Sequence, residues 1–166
     1  VEAGIGIGSV EYLIGHTSSP HTLLPPNIAW VADELQYTGP YLELRQACTG
    51  FANGLQIASA MAAANALRAI AIVGSETGSP YCDISDAFLS NEQLVNYVQM
   101  GDGAGAVIVG QDDGSEDQIL SDIFVGQIGL GREPGFFIEG GGSSLPQCGM
   151  QVPVFRHRVQ AVREHG

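Results

Sequence analysis

The period of apolar positions changes several times along this chain, and each change marks an element. Val10 to Gly15, "VEYLIG", is a short apolar run bounded by glycines and predicts a buried strand. "HTSSPHTLLPP" follows without periodicity and reads as a loop, with Pro25 and Pro26 placed to open a helix over Asn27 to Leu35. Gly39-Pro40 is a turn, and Tyr41 to Gln46 is a second strand. The helix expected after Cys48 has Ala, Gly or Ser on every face, with Phe51, Leu55, Ile57, Met61 and Leu67 spread around it. Apolar or small all round predicts burial all round. Gly50 and Gly54 each lower its intrinsic stability by roughly 1 kcal/mol, a cost that fits close approach of another backbone. Ala69 to Gly74 is almost continuously apolar, as in a parallel strand covered on both faces. Ala104 to Gly110 is a fourth strand and Ile119 to Gln127 a fifth, separated by an acidic turn. Residues 75–100 read as loop and short helix, 126–149 as irregular, and Val154 to Glu164 as a helix. Strands alternating with helices predict an α/β sandwich.

Composition narrows the function classes. A chain of 166 residues with 45% hydrophobic and 14% charged residues is one globular domain with a real core. Its net charge is −12, and all six basic residues are arginine, three of them near the C-terminal end (Arg156, Arg158, Arg163). A nucleic-acid surface needs a dense cationic stripe, so nucleic acid is not an expected partner. The sequence has no apolar run long enough to span a bilayer and no signal-peptide pattern, so no membrane partner is expected and a cytoplasmic setting is. Three cysteines form neither a disulfide framework nor a zinc motif, and no metal is expected. The chain opens on Val1 and stops inside its last predicted helix, which suggests a fragment of a longer protein.

Among reactive side chains Cys48 stands out. It lies where a strand meets a long helix, and the positive end of a helix and its unpaired N–H groups favour the thiolate, the reactive form. Its histidine partner is not evident: His16 and His21 read as residues of a solvated loop, and His157 and His165 as surface residues of the terminal helix. Cys82 and Cys148 fall in loops with no helix behind them. "GIGIGS" has the wrong spacing and context for a dinucleotide fingerprint, and "GDGAGA" leads into a strand, where it serves as a tight turn. There is no G-x-S-x-G elbow. A redox thiol role lacks a resolving cysteine at C-x-x-C spacing.

Three segments taken together, "ELRQACTGFANGLQIASAM", "RAIAIVGSETGS" and "MGDGAGAVIVG", resemble in order and spacing the ketoacyl synthase III branch of the thiolase superfamily across roughly residues 8–127. "HTLLPP" matches the family's loop that reaches across the dimer, and "EGGGSSLP" a glycine-rich loop of some relatives. The resemblance implies a thiolase-like layered α/β sandwich. This chain would form one partial half, a mostly parallel sheet with a buried central helix: residues 1–150 from the N-terminal half, residues 151–166 the start of the second. It implies acyl transfer from acyl-coenzyme A or an acyl carrier protein to Cys48, then condensation with a second thioester in fatty-acid or polyketide biosynthesis. No resident cofactor is implied. Cys48 would be the nucleophile and its N–H one oxyanion donor, Phe51 would line the site, and Leu24 would meet the partner's acyl pocket in a homodimer.

The family's catalytic histidine and asparagine belong to the second half, and no histidine here matches their motifs. The isolated chain is therefore expected to be inactive, the missing C-terminal half supplying His and Asn. Two further readings stand beside condensation: acyl transfer to a hydroxyl or amine by a non-condensing relative, and an inactive half-subunit that needs a complementary chain. A half-sandwich is also expected to expose apolar surface.

Overall fold

The structure, a computed structural model, describes residues 3–64, 67–81, 94, 98–112, 114, 119–139 and 154–165. Two compact units make up the chain: Val1–Glu76 with Gly103–Gly126, and Thr77–Asp102 with Gln127–Gly166. Cys82, Cys148, most of "EGGGSSLP" and most of the acidic turn lie outside the described residues.

The first unit holds a four-stranded sheet of β1 (Tyr12–His16), β2 (Tyr41–Leu44), β3 (Ile70–Thr77) and β4 (Asp102–Val109) in the order β2-β1-β3-β4. β1 runs parallel to both neighbours, with His16 opposite Leu44 on one side and Gly74 on the other. Alternation of side chains across a strand divides the core into two layers. Ile14, Ile70 and Ile72 face helix α2 (Gly50–Ala63), where they meet Ala58 and Ala62. Leu13 and Ala71 face helix α1 (Asn27–Glu34), where they meet Ile28 and Ala32. Leu13, Ile14, Ile70 and Ile72 are fully buried, each worth about 1.5–3 kcal/mol by transfer from water. Since β1, β2 and β3 are parallel, their carboxyl ends share one edge, and the loops after β1 and β2 emerge there.

Helix α1 begins after Pro26 without a side-chain cap of its own. The Glu43 carboxylate on β2 accepts the Ile28 N–H at 2.8 Å and so satisfies a first-turn donor from across the sheet. The helix ends in a Schellman motif: the Tyr37 N–H reaches the Ala32 carbonyl and the Gln36 N–H that of Asp33, with Gln36 at φ 52°.

In the second unit, β5 (Phe136–Glu139) pairs antiparallel with β6 (Val154–His157), and α3 (Val159–His165) follows. Arg156 bridges Glu139 at 2.6 Å, and the Arg158 guanidinium lies over the Phe137 ring, 5.0 Å from its centroid. In this unit too, the Asp102 carboxylate accepts both the N–H and the hydroxyl of Ser79, at 2.9 and 2.7 Å, at the start of the turn Ser79–Tyr81. These hydrogen bonds hold the Asp102 carboxyl below its usual range.

Several elements differ from the sequence reading. The run expected as one helix over Val154 to Glu164 divides, because "VFRH" finds a ladder partner in "FFIE" inside the stretch expected to be irregular. Ile119 to Gln127 is not a strand; without a neighbouring ladder its apolar side chains stand out, Phe124 being 90% exposed. "GDGAGA" lies in β4 from Asp102 onward rather than in a turn. Helix α2 is buried along one stripe, Gly50, Gly54, Ala58 and Ala62, rather than all round. It meets one face of the sheet, and Phe51, Gln56 and Ala60 are exposed. β4 is exposed along most of its length, Val107 and Ile108 included.

Candidate active site

The segment from β2 to α2 places Cys48 at the carboxyl edge of the sheet. β2 stops at Leu44, the chain turns through Arg45 and Gln46, and Ala47–Thr49 form a single 3-10 turn leading into α2. The turn is closed by the Thr49 N–H and Thr49 hydroxyl, both donating to the Gln46 carbonyl, at 3.1 and 2.8 Å. Ala47 adopts φ 46°, a left-handed backbone that costs an L-residue about 1–2 kcal/mol. Cys48 is therefore carried on the turn before α2 rather than in its first helical turn, and it is a free, exposed thiol. Helix α2 starts with no side-chain cap on its own N–H groups.

His16 is not in the loop after β1. It is the last residue of that strand, half-buried beneath the start of α2, and its ring lies 6.4 Å from the Phe51 ring. Phe51 itself, one residue into α2, is 40% exposed. His21 stays in the loop, edge-on to Trp30 at 5.5 Å. His157 belongs to β6, not to a surface helix. Its ring stands edge-on to Phe136, and its buried Nδ1 has no hydrogen-bond partner among the described residues. His165 closes α3.

Leu24 lies at the tip of the loop between β1 and α1, almost wholly exposed, and the Leu24–Pro25 peptide is cis. Several polar contacts fix this loop. The Ser18 N–H and the Ser19 hydroxyl each donate to one oxygen of the Glu76 carboxylate, both at 2.7 Å. Asn27 accepts from the His21 N–H at 3.1 Å and donates to the Ser75 hydroxyl at 3.2 Å. Thr22 donates to the Pro25 carbonyl and accepts from the Trp30 indole, both at 3.0 Å. Arg45, three residues before Cys48, reaches the carbonyls of Thr22 and Leu23 at 3.4 and 3.3 Å and is paired with Glu43 at 3.1 Å. The loop bearing Leu24 is thus tied to the segment bearing Cys48. Glu43, Arg45 and Glu76 were not singled out from the sequence. The signal for the first two was the charge pair inside the strand-like run "YLELRQ", whose Leu42 and Leu44 pack against the core.

A family model for 3-oxoacyl-[acyl-carrier-protein (ACP)] synthase III matches residues 42–126, the interval that holds Cys48, Glu76 and β4. The chain is 28% identical over 172 residues to a beta-ketoacyl-[acyl-carrier-protein] synthase III of Rickettsia rickettsii (strain Sheila Smith), covering 98% of this chain and 50% of that protein. It is 30% identical over 174 residues to the protein of the same description from Rhodospirillum rubrum, covering 98% and 51%. The chain spans about half the length of the curated relatives it matches. Among solved structures, the tetronic acid condensing enzyme AbyA1 superposes with a TM-score of 0.79 at 26% identity, over 98% of this chain and 48% of that one. A beta-ketoacyl-[acyl carrier protein] synthase III from Thermus thermophilus shares the fold with a TM-score of 0.71 at 24% identity, over 98% and 48%. With its layered α/β architecture of the thiolase type and a family match through the strand–turn–helix that carries Cys48, this chain belongs to the 3-oxoacyl-[acyl-carrier-protein] synthase III family.

Proposed function

We propose that the whole protein condenses two thioesters in fatty-acid or polyketide biosynthesis, with Cys48 as the acyl-carrying nucleophile. The observation that carries this reading is the exposed Cys48 thiol on a strained turn between the parallel strand β2 and helix α2, inside the interval matched by the family. In the first half-reaction the Cys48 sulfur attacks the carbonyl carbon of an acyl-coenzyme A or acyl-carrier thioester. A new carbon–sulfur bond forms, and the donor leaves as its thiol, carrying the proton lost by Cys48. The Cys48 N–H, on the 3-10 turn, is one donor to the oxyanion. In the second, a malonyl-type thioester loses carbon dioxide and its carbanion attacks the acyl group, releasing Cys48.

Phe51 and Leu24 are the proposed substrate contacts, Phe51 beside the thiol and Leu24 toward the acyl pocket of the partner in a homodimer. A histidine and an asparagine from a second half are the proposed acid–base pair. Residues 1–150 belong in this reading to the first half and 151–166 to the start of the second. The 166 residues alone accordingly do not turn over, and the protein works in the cytoplasm. No helix among the described residues is long and apolar enough to cross a membrane. The condensing reading is favoured over transfer to a hydroxyl or amine because the similar AbyA1 structure is itself described as a condensing enzyme.

Intact mass spectrometry after incubation with a panel of acyl-coenzyme A donors tests the reading, with the second half supplied. Wild type gains one acyl mass, and Cys48→Ala gains none. Acylation that persists in Cys48→Ala, or thioester turnover by the 166-residue chain alone, refutes it.

A further inference from the structure

Helix α2 lies unusually close to the sheet. A Cβ built on Gly54 would come within 3.2 Å of Ile72 and 3.8 Å of Ile14, so aliphatic side chains of β1 and β3 already fill the space beneath the middle of the helix. One step further along the same faces, toward the carboxyl edge, Ile14 is succeeded by His16 and Ile72 by Gly74. The His16 ring is wedged there. A Cβ on Gly74 would stand 2.6 Å from its Nε2, and a Cβ on Gly50 would stand 2.7 Å from its Nδ1. Neither distance is one that a real Cβ adopts, so the imidazole fits only because the residues on both sides are glycine.

Gly50 is the second residue after Cys48, and between them the chain is the short turn tied to the Gln46 carbonyl. The left-handed entry at Ala47 and this closure tie the turn to the start of α2, so the height of Gly50 over the sheet bears directly on where the thiol sits. We propose that His16 is the positioning residue of the Cys48 turn, its imidazole acting as a spacer between Gly74 of β3 and Gly50 of α2. This rests on the reading of Cys48 as the nucleophile but concerns a different residue. It also explains why a helix-weakening glycine sits at the start of α2. Removal of the ring lets the first turn of α2 settle toward β3 and draws the exposed thiol inward.

The test follows alkylation of Cys48 by iodoacetamide, resolved by peptide mass spectrometry at one pH and well below the unfolding temperature, with circular dichroism and melting recorded for each variant. His16→Ala is expected to slow alkylation by about tenfold, within the range that misplacement by about 1 Å produces. Added imidazole restores the rate by refilling the slot. His16→Gln, whose planar amide has similar reach, stays within about threefold of wild type. Gly50→Ala, whose methyl group meets the ring and lifts the turn away from the sheet, speeds Cys48 instead, and the pair His16→Ser with Gly50→Ala returns to the wild-type rate, since the smaller side chain makes room for the new methyl group. Should His16→Ala fail to fold, His16→Gln and the Gly50 pair still decide the matter. A lowered melting temperature with Cys48 reacting at the wild-type rate in His16→Ala and in Gly50→Ala overturns the proposal, because the ring then only packs. If alkylation follows the expected pattern but acetyl-coenzyme A never acylates Cys48 in the assembled protein, the nucleophile reading fails and the positioning role stands.

Discussion

The Glu76 carboxylate offers the sharpest test of how the candidate site is held together. Each of its oxygens accepts one hydrogen bond from the loop after β1, from the Ser18 N–H and from the Ser19 hydroxyl, both at 2.7 Å. Ser19 is only 5% exposed, so this end of the loop is drawn into the protein through the carboxylate. Hydrogen bonds to a charged acceptor contribute about 1.5–3 kcal/mol each, and truncation also leaves a partly buried N–H to find water. Set against this is the desolvation of the half-buried carboxylate, which its removal relieves. The balance for Glu76→Ala is a loss of about 2–4 kcal/mol. Glu76→Gln is the informative partner. Its amide oxygen can accept from Ser18 while its NH₂ donates to the Ser19 oxygen, so both contacts survive without the charge and the loss is about 1 kcal/mol. For a chain of this size each kcal/mol moves the melting temperature by roughly 2–4 °C. Urea titration followed by circular dichroism, with thermal melts beside it, measures both variants. A Glu76→Ala variant within about 0.5 kcal/mol of wild type means that the contacts contribute nothing, and a Gln variant as damaging as Ala means that charge alone matters; either result refutes this account of the loop.

Three other outcomes can be checked with standard measurements. Gln36→Gly should stabilise the protein by a few tenths to about 1 kcal/mol in urea titration, because Gln36 holds a left-handed φ of 52° at the end of α1, where glycine has no steric penalty; a destabilised variant counts against the Schellman assignment. Ile72→Ala removes a fully buried side chain from the layer between the sheet and α2 and should cost about 2–5 kcal/mol by the same titration, with a cost under 1 kcal/mol inconsistent with that packing. Asp102 titrates in the fold below its ordinary value of 3.8, because Ser79 donates to it from side chain and backbone. Its contribution to the Ser79–Tyr81 turn is thus intact above pH 3.8 and disappears as pH falls through the lower folded value. The Ser79 amide resonance should accordingly shift only on acidification below 3.8, and Asp102→Asn should abolish that shift.

The parallel core was legible in the sequence because its residues need no distant information. "VEYLIG" and "AIAIVG" are apolar runs too short for helices, and they became neighbouring strands whose alternate residues divide between α1 and α2. What the sequence could not reveal depended on partners far along the chain. "VFRH" is as compatible with a helix as with a strand until "FFIE", 15 residues earlier by Val154 to Glu139, supplies the ladder. The run at 119–127 has strand-like composition, but composition does not provide a neighbour to pair with. The candidate site divides in the same way. Cys48 and its strand-to-helix setting were visible locally. The His16 wedge was not, because it needs the register that sets His16 opposite Gly74 and the approach of α2 that brings Gly50 over it.

The Glu43–Arg45 charge pair at the end of β2 shows why the hydrophobic pattern alone understated this segment. Alternation in "YLELRQ" sends Leu42 and Leu44 into the layer beneath α2. Glu43, pointing the other way, meets the first turn of α1, where it accepts the Ile28 N–H; Arg45 continues on that side and holds the carbonyls of Thr22 and Leu23. A Cβ on Gly15, the partner of Glu43 in the ladder, would fall 2.7 Å from the Ile28 Cβ, so α1 begins directly on the strand and Glu43 is within reach of its N-terminus. The Glu43 side chain is 4% exposed, and burying a carboxylate so deeply is costly unless donors surround it. A residue placed only to fill the strand would have been apolar. What the segment contributes is a fixed relation: one face of β2 packs under α2, the helix that follows the Cys48 turn, and on the other side Glu43 holds the start of α1 while Arg45 holds the loop that carries Leu24. The distance between proposed nucleophile and proposed acyl contact is then set by one short strand and its parallel partners, not by the loops on which those residues lie.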